Sequence, residues 1–135
     1  MVNLVNRHSV LFDYEETKRI FDEYKEYLNC PFTYSEMIKS DWFFGVLDDK
    51  GITVGICYIL MDNYKNRKVP FYSGAFERKK HKEVKEAHSI LVDLTLKHYK
   101  EVYTWTPHLH GHVFNRKVGM EYLGDNIFYK KRSDK

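Results

Sequence analysis

The chain lacks any apolar stretch approaching the length of a membrane helix, and its N-terminus lacks the apolar run of a signal peptide. Residues 1–135 therefore read as a soluble, cytoplasmic protein. Cysteine is scarce: Cys30 and Cys57 lie far apart and outside any C-x-x-C pattern, which excludes a disulfide scaffold and fits a reducing compartment. A large charge of one sign is also missing. With 22 Lys and Arg against 19 Asp and Glu, a net charge of +3 argues against nucleic acid as the partner. Internal repeats, low-complexity tracts and linkers are absent too, which leaves one domain over residues 1–135.

What the chain does have is apolar and aromatic material. Apolar residues make up 43% and aromatics 16%, nearly all Tyr and Phe, enough at this length to bury a sizeable core. The basic residues come in runs: Lys65, Arg67 and Lys68; Arg78, Lys79, Lys80 and Lys82; Lys130, Lys131 and Arg132. A solvated surface is the default reading of such runs.

Hydrophobic period and capping signals give an order of elements. Ser9 to Phe12 reads as a first strand, followed by an Asp13 cap and a helix with Thr17, Ile20, Phe21, Tyr24 and Leu28 on one face. Thr33 and Glu36 form a capping box for a short helix after Pro31. Trp42 to Leu47 and Ile52 to Met61 make an antiparallel hairpin across Asp48-Asp49-Lys50-Gly51. A polar loop from Asp62 to Lys68 leads to a strand from Val69 to Phe76. The period then becomes helical from about Lys82 to Tyr99, with Val84, Ala87, Leu91 and Leu94 on one face. Val102 to Thr106 is a strand parallel to the previous one, Leu109 to Val118 a short helix, and Gly124-Asp125-Asn126 the turn of a final hairpin. The fold class is α/β (α+β), a mixed sheet with antiparallel N-terminal strands, a parallel strand-helix-strand core and a C-terminal hairpin.

This order resembles the GNAT superfamily of N-acetyltransferases over nearly the whole chain. The local match is sharpest near the C-terminus, against the family pattern N-x-x-A-x-x-L/F-Y-x-x-x-G-F. His108 stands at the Asn place, Gly111 at the Ala place, Phe114 at the apolar place and Gly119-Met120 at the final pair. The resemblance implies acetyl-CoA as cofactor and a primary amine as acceptor. It places the cofactor against Phe76 at the end of a strand, against His108, and against the turn that follows Phe76. That turn reads Arg78-Lys79-Lys80-His81-Lys82-Glu83 where the family has [Q/R]-x-x-G-x-[G/A]. Arg78 fits the first position, while His81 and Glu83 replace the two small residues. Lys79, Lys80 and Lys82 offer phosphate contacts through side chains near a helix N-terminus. In a narrower way the chain is similar to compact GNAT-like proteins of tailed phages.

Direct transfer to an amine needs a base for the acceptor, donors for the thioester oxygen and a proton for the departing thiolate. Glu77, at the C-terminal end of a strand, is the candidate base, against the alternative that it pairs with a nearby cation. Asn115 stands where many family members carry a proton-donating Tyr, which leaves Tyr122 or Tyr129 for that role; Tyr122 is the candidate. His108 and His112 share a helical face at i,i+4 spacing, but no third ligand is evident, so no metal site is expected. A second expectation is a non-catalytic GNAT-fold protein that serves structure or assembly, including in a phage virion. A small-molecule amine or a protein is the expected partner, with oligomerisation left open.

Overall fold

The computed structural model describes residues 1–133. Their contacts group into two units, Met1–Tyr58 with Gly74–His88, and Ile59–Ser73 with the chain from Ser89 onward.

In the first unit, β1 (Asn3–Val5) pairs antiparallel with β2 (Phe43–Leu47), Val5 opposite Gly45. This corrects the strand expected over Ser9–Phe12. There the chain makes two successive turns, with the Ser9 amide bonded to the Asn6 carbonyl at 3.0 Å and the Phe12 amide to the Ser9 carbonyl at 3.2 Å. Only Phe12 of that apolar triplet is buried; Val10 and Leu11 face solvent. A continuous apolar run shorter than four residues carries too little period to fix a strand.

Asp13 then caps α1 (Tyr14–Glu23), its carboxylate accepting from the Glu16 amide at 3.0 Å. α2 (Lys25–Leu28) ends at Asn29, whose φ of 49° is the left-handed conformation that stops a helix. The Thr33–Glu36 capping box opens α3 (Tyr34–Met37) as expected. Phe43 lies at the centre of the aromatic core, with ring centroids of Phe21, Tyr34 and Tyr58 at 6.3, 6.0 and 5.8 Å.

β3 (Thr53–Tyr64) and β4 (Arg67–Phe76) follow, then α4 (His81–Tyr99), β5 (Glu101–Trp105), α5 (Leu109–Lys117), β6 (Glu121–Gly124) and β7 (Ile127–Lys131). The strands hydrogen-bond in the order β1-β2-β3-β4-β5-β7-β6. β4 and β5 form the parallel pair, Phe71 opposite Tyr103, while β5–β7 and β7–β6 are antiparallel. The expected polar loop over Asp62–Lys68 is instead a continuation of both strands around a two-residue turn. Lys65 and Asn66 have φ values of 48° and 67°, the pattern of a type I′ hairpin turn.

In the second unit, α4 buries Leu91, Val92, Thr95 and Leu96, whereas Leu94, expected on that face, is exposed. β5 buries Val102 and Thr104, and β7 buries Phe128. No helix among the described residues is long and apolar enough to cross a membrane.

Candidate active site

β4 ends on a close contact in the first unit. The Phe76 ring lies over Gly55 of β3, where a β-carbon would stand 2.3 Å from a ring carbon. Any larger residue at 55 would push Phe76 away. The ladder continues for one bond, the Glu77 amide donating to the Val54 carbonyl at 2.9 Å. The backbone then turns through Lys79, whose φ is 64°, and enters α4, with the Val84 amide bonded to the Lys80 carbonyl at 2.9 Å.

The left-handed position of this turn is therefore Lys79. A β-carbon in that conformation costs about 1–2 kcal/mol. His81 and Glu83, the two residues that stand at the family's small positions, fall within the first turn of α4, whose helical backbone suits any L-residue. Small residues there would provide room beside a phosphate rather than a backbone conformation. The first amides of α4 have no intrahelical acceptor, and the helix dipole places positive potential at that end.

The surrounding charges are mixed. Arg78 and Lys79 are exposed. Lys80 and Lys82 lie within electrostatic reach of Asp48 and Asp49 in the turn between β2 and β3. Asp48 is held below the usual carboxylate range chiefly by the Ile52 amide, and Asp49 chiefly by the N-terminal ammonium.

Glu77 is ion-paired with Arg19 of α1. Arg19 Nε also donates to Glu16 at 2.8 Å, and Nη1 lies 3.7 Å from Glu23. One guanidinium thus meets three carboxylates, which hold its proton more tightly than usual, Glu16 most strongly. Tyr24 belongs to the same patch: burial first, then Glu23 and Glu77, push its hydroxyl up. Arg19 escapes a sequence reading because its spacing to Glu16 and Glu23 is the ordinary i,i+3 and i,i+4 pattern of a solvated helix.

In the second unit, His108 is the cap residue of α5 and its amide lies 3.4 Å from Thr106 Oγ1. Gly111 seats against the same threonine, and a β-carbon at 111 would stand only 2.2 Å from Oγ1. The alanine of the family pattern would clash here. His112 Nε2 lies 3.0 Å from both the Thr106 carbonyl and Asn126 Oδ1, so this nitrogen carries the proton. The His112 ring packs on Tyr122 and Phe128 at 5.3 and 5.0 Å. Tyr122 accepts a hydrogen bond from the Asn126 amide at 3.3 Å, and Arg116 stands 5.6 Å from its ring. Because the hydroxyl acts as acceptor in that bond, its own proton is left for another partner. Asn115 is buried, and its carbonyl accepts from the Met120 amide at 2.9 Å. Among the described residues no group of three or more His, Cys, Asp or Glu is placed to hold a metal ion.

The predicted residues thus fall in two places. Phe76, Glu77, Arg78, Lys79, Lys80, His81 and Lys82 are contiguous in the first unit, and His108 and Tyr122 flank α5 in the second. Thr106, Asn126 and Arg19 were not foreseen.

A strand, a turn and a long helix lie beside a parallel strand in a seven-stranded mixed sheet, an α+β arrangement. No family profile and no curated protein matches the chain. Solved structures do. A GNAT superfamily phosphinothricin acetyltransferase from Sinorhizobium meliloti, in complex with AcCoA, is similar over 97% of this chain and 88% of that one, with a TM-score of 0.73 and 15% identity. The spermidine/spermine N-acetyltransferase SpeG from Vibrio cholerae matches over 97% and 94%, with a TM-score of 0.67 and 9% identity. A chain of the NatC complex bound to Gag peptide and CoA matches over 98% of both, with a TM-score of 0.63 and 15% identity. The chain has the GNAT fold.

Proposed function

We propose that the chain is an acetyl-CoA-dependent N-acetyltransferase acting on a primary amine. The observation that carries this reading is the segment from Phe76 to Lys82, where a strand end and a left-handed turn lead into the N-terminus of a 19-residue helix flanked by four cations. That donor set fits a diphosphate: free helix amides, the positive end of a dipole and the side chains of Arg78, Lys79, Lys80 and Lys82. His108 is the further cofactor contact. Neighbours of the same fold hold AcCoA or CoA, which supports the same cofactor here.

Acetyl-CoA supplies an activated acetyl thioester. The chain's own residues handle protons. Glu77 takes the proton of the acceptor ammonium, directly or through a water, on release of its carboxylate from the ion pair with Arg19. Tyr122 gives its hydroxyl proton to the departing sulfur, since that proton is not used in the bond with Asn126. A non-catalytic scaffold, in assembly or in a phage virion, is the second reading; the bulk of His81 and Glu83 beside the helix N-terminus favours it.

The test is thiol release from acetyl-CoA across a panel of primary amines. Glu77→Gln is expected to lower kcat about 100-fold or more, with acetyl-CoA binding retained. Equal turnover by this variant would remove Glu77 from the mechanism. Binding without release for every amine would favour the scaffold.

A further inference from the structure

Side chains alternate along β5 in the second unit. Val102 and Thr104 go to the buried side, while Tyr103 and Trp105 go to the other. Register extends that second face across its neighbours: Phe71 of β4 and Tyr129 of β7 stand directly beside Tyr103. Their ring centroids lie 5.6 and 5.0 Å from Tyr103, and Tyr64 of β3 lies 5.1 Å away on another side. Tyr103 is enclosed by these rings, but Tyr64, Phe71 and Tyr129 are half-exposed and Trp105 is 42% exposed. Five aromatic side chains on one sheet face, one of them exposed and three half-buried, exceed what a closed core requires.

Cations border this platform. Lys65 stands 5.5 Å from the Tyr64 ring, and Lys131 is opposite Glu101 in the β5–β7 register. The Arg132 amide bonds to the Lys100 carbonyl at 2.9 Å, which brings the end of β7 beside Lys100. Glu101 is the carboxylate at this end, and Arg67 covers it with two bonds of 2.8 and 3.2 Å. Charge is also divided unevenly between the units. Residues 59–73 and 89–133 carry ten Lys and Arg against five Asp and Glu, a net +5, while the first unit carries eleven against thirteen, a net −2. The near balance of the whole chain, which argues against a nucleic-acid partner, conceals this asymmetry.

We propose that the open face formed by Tyr64, Phe71, Trp105 and Tyr129, bordered by Lys65 and Lys131, binds single-stranded nucleic acid. Unpaired bases provide flat surfaces that stack on aromatic rings in any sequence, and the backbone provides negative charge for the cations. A duplex hides its base faces within its own stack. A second copy of the chain would set +5 against +5 across the face. None of these residues is among those assigned to acetyl transfer, and the proposal does not depend on that activity.

The test is fluorescence anisotropy of the full chain with labelled oligothymidylate, oligouridylate and a duplex of equal length. Saturable binding to the single strands is expected, weaker to the duplex, accompanied by quenching of tryptophan fluorescence and weakening as salt rises. Tyr64→Ala is expected to reduce affinity about tenfold, and Lys131→Glu to flatten the salt dependence. Quenching in the unaltered protein keeps the test decisive if Tyr64→Ala fails to fold. No binding at low salt would overturn the proposal. So would equal affinity for duplex and single strand without quenching, which is a plain charge contact, or a dimer that Trp105→Glu dissociates.

Discussion

Two glycines fix side chains at the ends of strands. Gly55 leaves room for Phe76, and Gly111 for Thr106. Helix propensity alone would make Gly111→Ala stabilising by about 1 kcal/mol. The contact with Thr106 reverses the sign, and a net loss of about 1–3 kcal/mol is expected from urea unfolding; a gain would show that the start of α5 is loosely seated. Glu101 gives a pH-dependent case. The Arg67 guanidinium holds its carboxyl below the usual value of 4.5, so the stabilisation is present above that pH and disappears as pH falls through the lower folded value. Arg67→Ala should therefore lower Tm near neutral pH and match the parent protein once Glu101 is protonated. A difference in Tm that persists in acid would assign the loss to packing instead. At this scale the sequence is only partly legible. Glu77 stands out because it ends a strand, but its partner Arg19 is hidden among ordinary helix-surface charges, and Thr106 and Asn126 meet His112 only once the chain is folded.

Capping chemistry makes α1 and α3 readable in advance: Asp13 and Thr33 bond to the amides three residues on, as their spacing indicates. The hairpin of β3 and β4 is harder, because a run of charged and polar residues from Asp62 to Lys68 looks like a loop. Its positive-φ pair, Lys65 and Asn66, closes the strands with no glycine to mark the turn. The same difficulty arises after β4. The family pattern draws attention to His81 and Glu83, yet the left-handed residue is Lys79. Lys79→Gly is expected to raise stability by about 1 kcal/mol in urea unfolding, because the β-carbon strain is removed. A loss would mean that the lysine side chain holds the turn.

For the whole molecule, element order after the first strand was legible from period and caps, and the parallel β4–β5 pair between antiparallel strands follows the expected arrangement. Charge was not legible at that scale, since the +3 of the chain combines a −2 unit with a +5 unit that only contacts can separate. Likeness to solved GNAT structures over nearly the full chain establishes the fold. Activity turns on whether the basic turn at Arg78–Lys82 accepts the cofactor without small residues at 81 and 83. Isothermal titration with acetyl-CoA, with desulfo-CoA as comparison, addresses this directly. Saturable binding in the micromolar range, weakened by Arg78→Ala together with Lys80→Ala, is the predicted result. No heat of binding at millimolar acetyl-CoA would contradict the acetyltransferase reading and leave the fold as a scaffold.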